Sequence, residues 1–243
     1  MRHVGFSTGA LAKGDFRRGI DLQRSHCDAL ELSALREGEL DALIEALPKL
    51  DLAGFAYVSF HAPSRLEKLS ERELVERLQR LGEPVSAIIV HPDVIHDFSL
   101  WRPLGRRLVL ENMDQRKPIA RTARELRPYF DALPEARFCF DIGHARQVDP
   151  TLGAALVMLR AFGDRLAEIH ISEVNAASSH VAISRTTSQS YRRLASLLPD
   201  SVPAIIESVI APAAIADELT IARASLGDLP TEAVLRPQLL RNP

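Results

Sequence analysis

The chain has 243 residues, 46% of them hydrophobic and 26% charged, with a formal net charge of −2. This suits one barrel-sized domain better than two, and no stretch reaches the ~20 apolar residues of a membrane span. The balanced charge exerts no global pull toward nucleic acid. Cys27 and Cys139 form neither a CxxC pair nor a disulfide framework, so a reducing cytoplasm is the expected compartment.

The first residues, Met1-Arg2-His3-Val4-Gly5-Phe6, lack the long apolar run of a signal peptide and read directly as a strand. Eight short β-rich runs follow one another along the chain: Val4–Ser7, Ala29–Leu35, Phe55–His61, Ala87–His91, Leu108–Glu111, Phe138–Asp141, Ala167–Ile171 and Ala204–Glu207. Amphipathic segments separate them. Glu39–Leu50 carries Leu40, Leu43, Ile44 and Leu47 at helical spacing, and Leu152–Phe162 and Ala213–Ala224 repeat the pattern. Ser70-Glu71-Arg72-Glu73 is a capping box that opens a helix whose buried stripe is Leu74, Val75, Leu78 and Leu81. Strands alternating with helices predict parallel pairing, and eight such units close most readily into a (β/α)₈ TIM barrel, one α/β domain over 1–243. An open doubly wound sheet is the rival, but no Gly-rich dinucleotide fingerprint follows the first strand.

In a parallel barrel the C-terminal ends of all strands face one mouth, where the active site is built. Six successive strands finish there on a metal-competent side chain: His61, His91, Glu111, Asp141 (with His144 three residues on), His170 (with His180 ten residues on) and Glu207. Alternation along each strand gives a check on phase. It turns Phe60, Val90, Leu110, Phe140, Ile169 and Ile206 outward under the helices. Ser59, Ile89, Val109, Cys139, Glu168 and Ile205 then form the next inward layer. Taken singly, His61 or His91 reads more often as a hydrogen-bonded core residue than as a ligand, and His144 and His180 read equally as turn and loop residues. Together with the carboxylates they form a group too polar to leave uncompensated. Neutral imidazoles mixed with carboxylates suit zinc, manganese or iron(II), and so many donors imply more than one ion. Glu168, one layer down, is either a buried carboxylate paired with a neighbour or an acceptor orienting a ligand imidazole.

At these strand ends the chain resembles the endonuclease IV / xylose isomerase-like barrel superfamily, which includes sugar phosphate isomerase/epimerase-like proteins. The motifs are His-Ala-Pro at His61, Val-His-Pro at His91, Leu-Glu-Asn at Glu111, Asp-x-Gly-His at Asp141 and His144, Ile-His-Ile at His170 and Ile-Glu at Glu207. Their ordered series, through all eight strands, is what makes the resemblance specific. The endonuclease IV branch implies one ion on His61, His91 and Glu111. A second would lie on Glu111, Asp141, His170 and Glu207, with Glu111 bridging, and a third on His144 and His180. The isomerase and epimerase branches imply a single ion on Glu111, Asp141, His170 and Glu207, with Glu111 and Glu207 as the proton-transferring pair. This chain departs from the endonuclease pattern at two places. Ser178 replaces an aspartate two residues before the last histidine, which weakens the third position unless Glu173 folds inward to substitute. Ser64-Arg65 replaces an aromatic after the His-Ala-Pro turn.

Arg36, Arg116, Lys117 and Arg146 all follow strand ends. They read either as ordinary solvated charges or, facing inward, as a rim that selects a phosphorylated or carboxylated substrate. The sequence thus places first a divalent-metal-dependent isomerase or epimerase acting on a small sugar or sugar phosphate, with Glu111 or Glu207 moving the proton. The alternative is an endonuclease IV-like phosphoesterase in which a hydroxide bridging the ions attacks phosphorus, and a non-catalytic binding barrel comes third. Two ions are expected, with a weaker third position. The expected partner is a small molecule, with a nucleic acid disfavoured and a membrane not expected.

Overall fold

The computed structural model describes residues 1–229, so 230–243 of the expected barrel unit lie outside the described residues. Eight parallel strands close on themselves: β1 (Val4–Ser7), β2 (Ala29–Ser33), β3 (Tyr57–His61), β4 (Ala87–Val90), β5 (Leu108–Glu111), β6 (Arg137–Asp141), β7 (Leu166–Ile171) and β10 (Ala204–Ile206). The last strand seals the barrel against the first, Val4 pairing with Ala204 and Phe6 with Ile206. The eight runs read from the sequence all become strands; Ala34-Leu35, His91 and Glu207 pass into the mouth loops, β3 starts two residues later than read, and β6 and β7 start one residue earlier.

The phase also holds. Phe60, Val90, Leu110, Phe140, Ile169 and Ile206 belong to the main core between sheet and helices. Ala87, Ile89, Val109 and Cys139 form a separate cluster inside the barrel. Between β6 and β7 the register slips, Phe138 facing Leu166 while Cys139 faces Glu168. This bulge takes up Ala167 and returns Glu168 and His170 to the inward phase. Gly5 is required by closure, since a Cβ there would lie 1.7 Å from the Ala29 carbonyl oxygen of the neighbouring strand.

The capping box forms as read: Ser70 accepts from the Glu73 amide at the start of the helix Glu71–Gln79, whose Leu74, Val75 and Leu78 are buried. Each such side chain contributes roughly 1.5–3 kcal/mol by leaving water. One feature has no counterpart in the eight-unit reading. After β7 the chain makes an antiparallel pair, β8 (Glu173–Val174) with β9 (His180–Val181), which folds back over the mouth and carries His180. No helix among the described residues is long and apolar enough to cross a membrane.

Candidate metal centre

The six strand-end residues converge at the C-terminal mouth, around Glu111. Its two carboxylate oxygens face different neighbours. Oε2 lies 3.3 Å from His61 Nε2 and 3.1 Å from His91 Nε2. Oε1 lies 3.3 Å from His144 Nδ1 and 3.4 Å from His170 Nδ1. Four overlapping donor groups result: His61, Glu111 and His170; Glu111, Asp141, His170 and Glu207; Asp141, His144 and His180; and, one layer down, Cys139, Glu168 and His170, with His91 in none of them. Each gathers its donor atoms within 4.8 Å, compact enough to surround one cation.

Local chemistry fixes which atoms are offered. His61 hydrogen-bonds the Ala62 carbonyl through Nδ1 at 2.7 Å, leaving Nε2 to the centre. His170 is held the other way round. Its Nε2 meets Glu168 Oε1 at 2.7 Å and Glu31 Oε2 at 3.2 Å, so Nδ1 points to Glu111 and Glu207. Glu168 is in turn anchored by the Tyr57 hydroxyl, which donates to Oε2 at 2.6 Å. Glu168 thus contacts both the His170 ring and the Tyr57 hydroxyl, an arrangement that a paired buried carboxylate and an orienting acceptor share.

The Asp-x-Gly-His spacing also has a physical reason. The helix Ile142–Val148 starts directly after β6 with Asp141 as its N-cap, and Asp141 Oδ1 accepts from the His144 amide at 2.7 Å. This turns Oδ2 and the His144 ring toward the same space. Gly143 lets that turn pack against β7's exit, where a Cβ would lie 2.8 Å from the Ser172 carbonyl oxygen. Asn112 staples β5 to β6, donating to the Asp141 carbonyl at 2.8 Å and accepting from the Asp141 amide at 2.9 Å.

The electrostatics are those of a crowded anionic cavity. Burial alone would raise the Glu111 carboxyl, but His170, His144 and His61 outweigh it and hold the group well below the usual range. Burial disfavours imidazolium, yet Glu31 and Glu111 lift His61 to about 9, and Asp141 and Glu111 lift His144 to about 10. Glu207 goes the other way, to about 8, through burial reinforced by Glu111, Asp141 and Glu31 against the pull of His170. Burial and the nearby His144 lower His180 to about 4. Asp141 Oδ2, His170 Nδ1 and Glu207 Oε2, all turned toward the centre, are buried without a hydrogen-bond partner. Unpaired buried groups of this kind cost roughly 1–3 kcal/mol each. Divalent cations would satisfy them, so the residues present fit the implied ions.

Several expectations need correction. The third position does not lack a carboxylate: Asp141 stands with His144 and His180. Glu173 does not fold inward. Its Oε2 accepts from the Ser184 amide at 2.8 Å, at the start of the helix Arg185–Arg192. Ser178, in a left-handed turn at φ 56°, accepts from Gln147 Nε2 at 2.7 Å. Of the four basic residues, Arg36, Arg116 and Lys117 line a cavity of about 940 Å³ above the centre, and Arg146 does not. Arg146 follows Asp141 on a helix that begins at once, and that helix carries it past the mouth toward Glu173, whose carboxyl it helps to lower. Sequence reasoning missed Glu31. Alternation in Ala-Leu-Glu-Leu-Ser is the signal that could have turned it inward with Ala29 and Ser33, but only the fold brings it to His170.

No family model matches the sequence, and no curated protein does. Solved structures do match its fold. Endonuclease IV from Thermus thermophilus is 20% identical with a TM-score of 0.59, the match covering 93% of this chain and 100% of that one. A xylose isomerase-like TIM barrel/4-hydroxyphenylpyruvate dioxygenase fusion protein is 13% identical with a TM-score of 0.56, covering 100% of this chain and 46% of the fusion. The chain has the xylose isomerase-like TIM-barrel fold. A protein from Anabaena variabilis described as a sugar phosphate isomerase/epimerase shares that fold at 14% identity and a TM-score of 0.52, covering 90% of this chain and 88% of its own. Within the xylose isomerase-like barrel the first three donor groups described above occupy the mouth formed by the C-terminal strand ends, the position at which such folds carry their chemistry.

Proposed function

We propose that the protein is a metal-dependent enzyme that hydrolyses a small phosphoester at a multinuclear centre. His61, His91 and Glu111 would hold one divalent ion and Glu111, Asp141, His170 and Glu207 a second, with Asp141, His144 and His180 available to a third. Zinc, manganese or iron(II) suits this mixture of imidazole and carboxylate. The observation that carries the reading is the split of Glu111, whose two oxygens face two separate sets of imidazole nitrogens, as a bridging carboxylate must. Paired ions supply charge stabilisation at both the attacking and the leaving oxygen of an in-line displacement. The chain's own part is to fix donor directions through the Ala62 carbonyl, Glu168 and the Asn112 carbonyl, and to line the cavity above with Arg36, Arg65, Arg116 and Lys117, of which Arg65 alone stands without an acidic partner among the described residues. Both cysteines are free and buried, which supports a reducing, cytoplasmic setting.

A single-ion isomerase or epimerase is the second reading. It is favoured by the compact four-residue group in which Glu111 and Glu207 both stand. The discriminating experiment combines metal analysis of protein purified without chelator with two assays, hydrolysis of bis(4-nitrophenyl) phosphate and interconversion of aldose and ketose phosphates. Two or more ions per chain with hydrolysis are expected. Glu111→Gln should lose at least one ion and about 10³-fold in rate while the fold persists. One ion per chain with sugar interconversion would replace the first reading by the second.

A further inference from the structure

The wall of the 940 Å³ cavity is not uniform. Around the closed barrel the strands run β1-β10-β7-β6-β5-β4-β3-β2. The loops after β3, β4 and β5 form one contiguous arc, and they bring Arg65, Arg116 and Lys117 to the cavity. The loops after β7, β10, β1 and β2 form the opposite arc. There the wall adds Val181, Val209, Ala10 and Leu35 to the polar Ser7, Ser179, His180 and Glu207, with Arg36 at the seam. Leu35 is 37% and Val209 58% exposed, two of only five large hydrophobic side chains exposed among the described residues. Scattered exposed hydrophobics need no explanation, but two lining one arc of a single cavity mouth do.

Charge on the basic arc is largely spoken for. Arg116 makes a forked pair with Asp114, at 2.9 Å from Nε and 2.6 Å from a terminal nitrogen. Lys117 pairs with Asp93, and Arg36 stands 4.0 Å from Glu39. Among the described residues Arg65 is the basic side chain of this cavity without an acidic partner. It is also the residue that follows His-Ala-Pro-Ser, where the sequence departs from the endonuclease pattern. Beyond Arg36 and Arg65 the surface continues into a groove of about 670 Å³ that includes Glu37, Glu39, Asp41 and Glu67. The groove also holds Lys68 beside the two arginines, so a polyanionic strand leaving the mouth on that side would meet four carboxylates against three cations, a net negative path.

From this division we infer the substrate class: a small molecule with one anionic head, met by Arg65 on the β3–β5 side, and an apolar body lying against Leu35, Val181 and Val209. An alkyl or aryl phosphoester fits this division, and an oligonucleotide or a polyhydroxylated sugar phosphate does not. The inference rests on the phosphoester reading above, and binding measurements separate the two. Non-hydrolysable phenylphosphonate and methylphosphonate serve as probes, titrated calorimetrically into the metal-loaded protein. Phenylphosphonate should bind about tenfold more tightly, the increment expected from burying part of a ring. Val209→Ser should remove most of that gap without altering methylphosphonate binding, and Arg65→Gln should weaken both probes about tenfold. If these patterns hold and no phosphoester is hydrolysed, the class stands and the hydrolytic reading falls. If hydrolysis is found but the two probes bind equally, or Arg65→Gln changes nothing, the class is overturned. Tighter binding of a short single-stranded oligonucleotide than of phenylphosphonate would overturn it too.

Discussion

One layer below the mouth, the barrel interior divides into two arcs of opposite chemistry. On β4, β5 and β6 the inward side chains are Ala87, Ile89, Val109 and Cys139, packed on one another. On the opposite side, from β7 through β10 and β1 to β3, the buried residues at similar depth include Glu31, Ser33, Ser59 and Glu168 beside the apolar Ile205, with Tyr57 reaching Glu168 from below. The apolar arc is what a filled barrel needs to stay closed. The polar arc contributes little by burial but fixes His170, whose Nε2 it engages from two sides. Closure and orientation are thus assigned to opposite walls of the same tube. The difference makes a specific claim: damage to one arc should lower stability and spare the metal, and damage to the other should do the reverse.

Ile89→Ala should show the largest effect. It empties part of a fully buried cluster, at about 3 kcal/mol, or about 10 °C in melting temperature, while metal content is retained. Loss of metal in parallel with stability would erase the distinction. Glu168→Gln tests the other wall. Glutamine keeps an oxygen for His170 and an amide for Tyr57, so the fold should persist while metal affinity falls about 10–100-fold, measured by chelator competition. Unchanged affinity would reduce Glu168 to a packing residue.

Much of this was legible in the sequence because it depends on strand phase, which alternation reveals within four or five residues. His61, Glu111 and Glu207 needed no knowledge of their partners. Glu31 did, because its meaning lies in His170, brought close only by closure of the barrel. The Arg146 outcome depended on a helix starting one residue after Asp141, and the Glu173 outcome on a hairpin of two-residue strands, neither of which leaves a periodic trace.

The pH dependence of metal uptake is a finer test of the mouth itself. His61 and His144 retain protons to about 9 and about 10 in the metal-free site, and ligation requires them neutral. Binding at pH 7 should therefore release protons. Affinity should rise about tenfold per pH unit for each proton displaced, and level off only above the histidine range. Calorimetry in buffers of different ionisation enthalpy measures the release, and proton-neutral binding would exclude both histidines. Smallest of all should be Tyr57→Phe, which removes one hydrogen bond to Glu168 and should cost about 1 kcal/mol with a severalfold loss of metal affinity. A loss larger than that of Glu168→Gln would reverse the hierarchy.

The pairing of Val4 with Ala204 has a consequence for biogenesis. About 200 residues separate the two edges that must meet, so a ribosome adding roughly 5–20 residues per second exposes an unfinished C-shaped sheet for on the order of 10–40 s. Throughout that interval β1 and the newest strand are bare edges, and in a crowded polysome they face identical edges on neighbouring nascent chains. Only when β10 docks beside β1 does the emerging protein cease to be a template for its own copies.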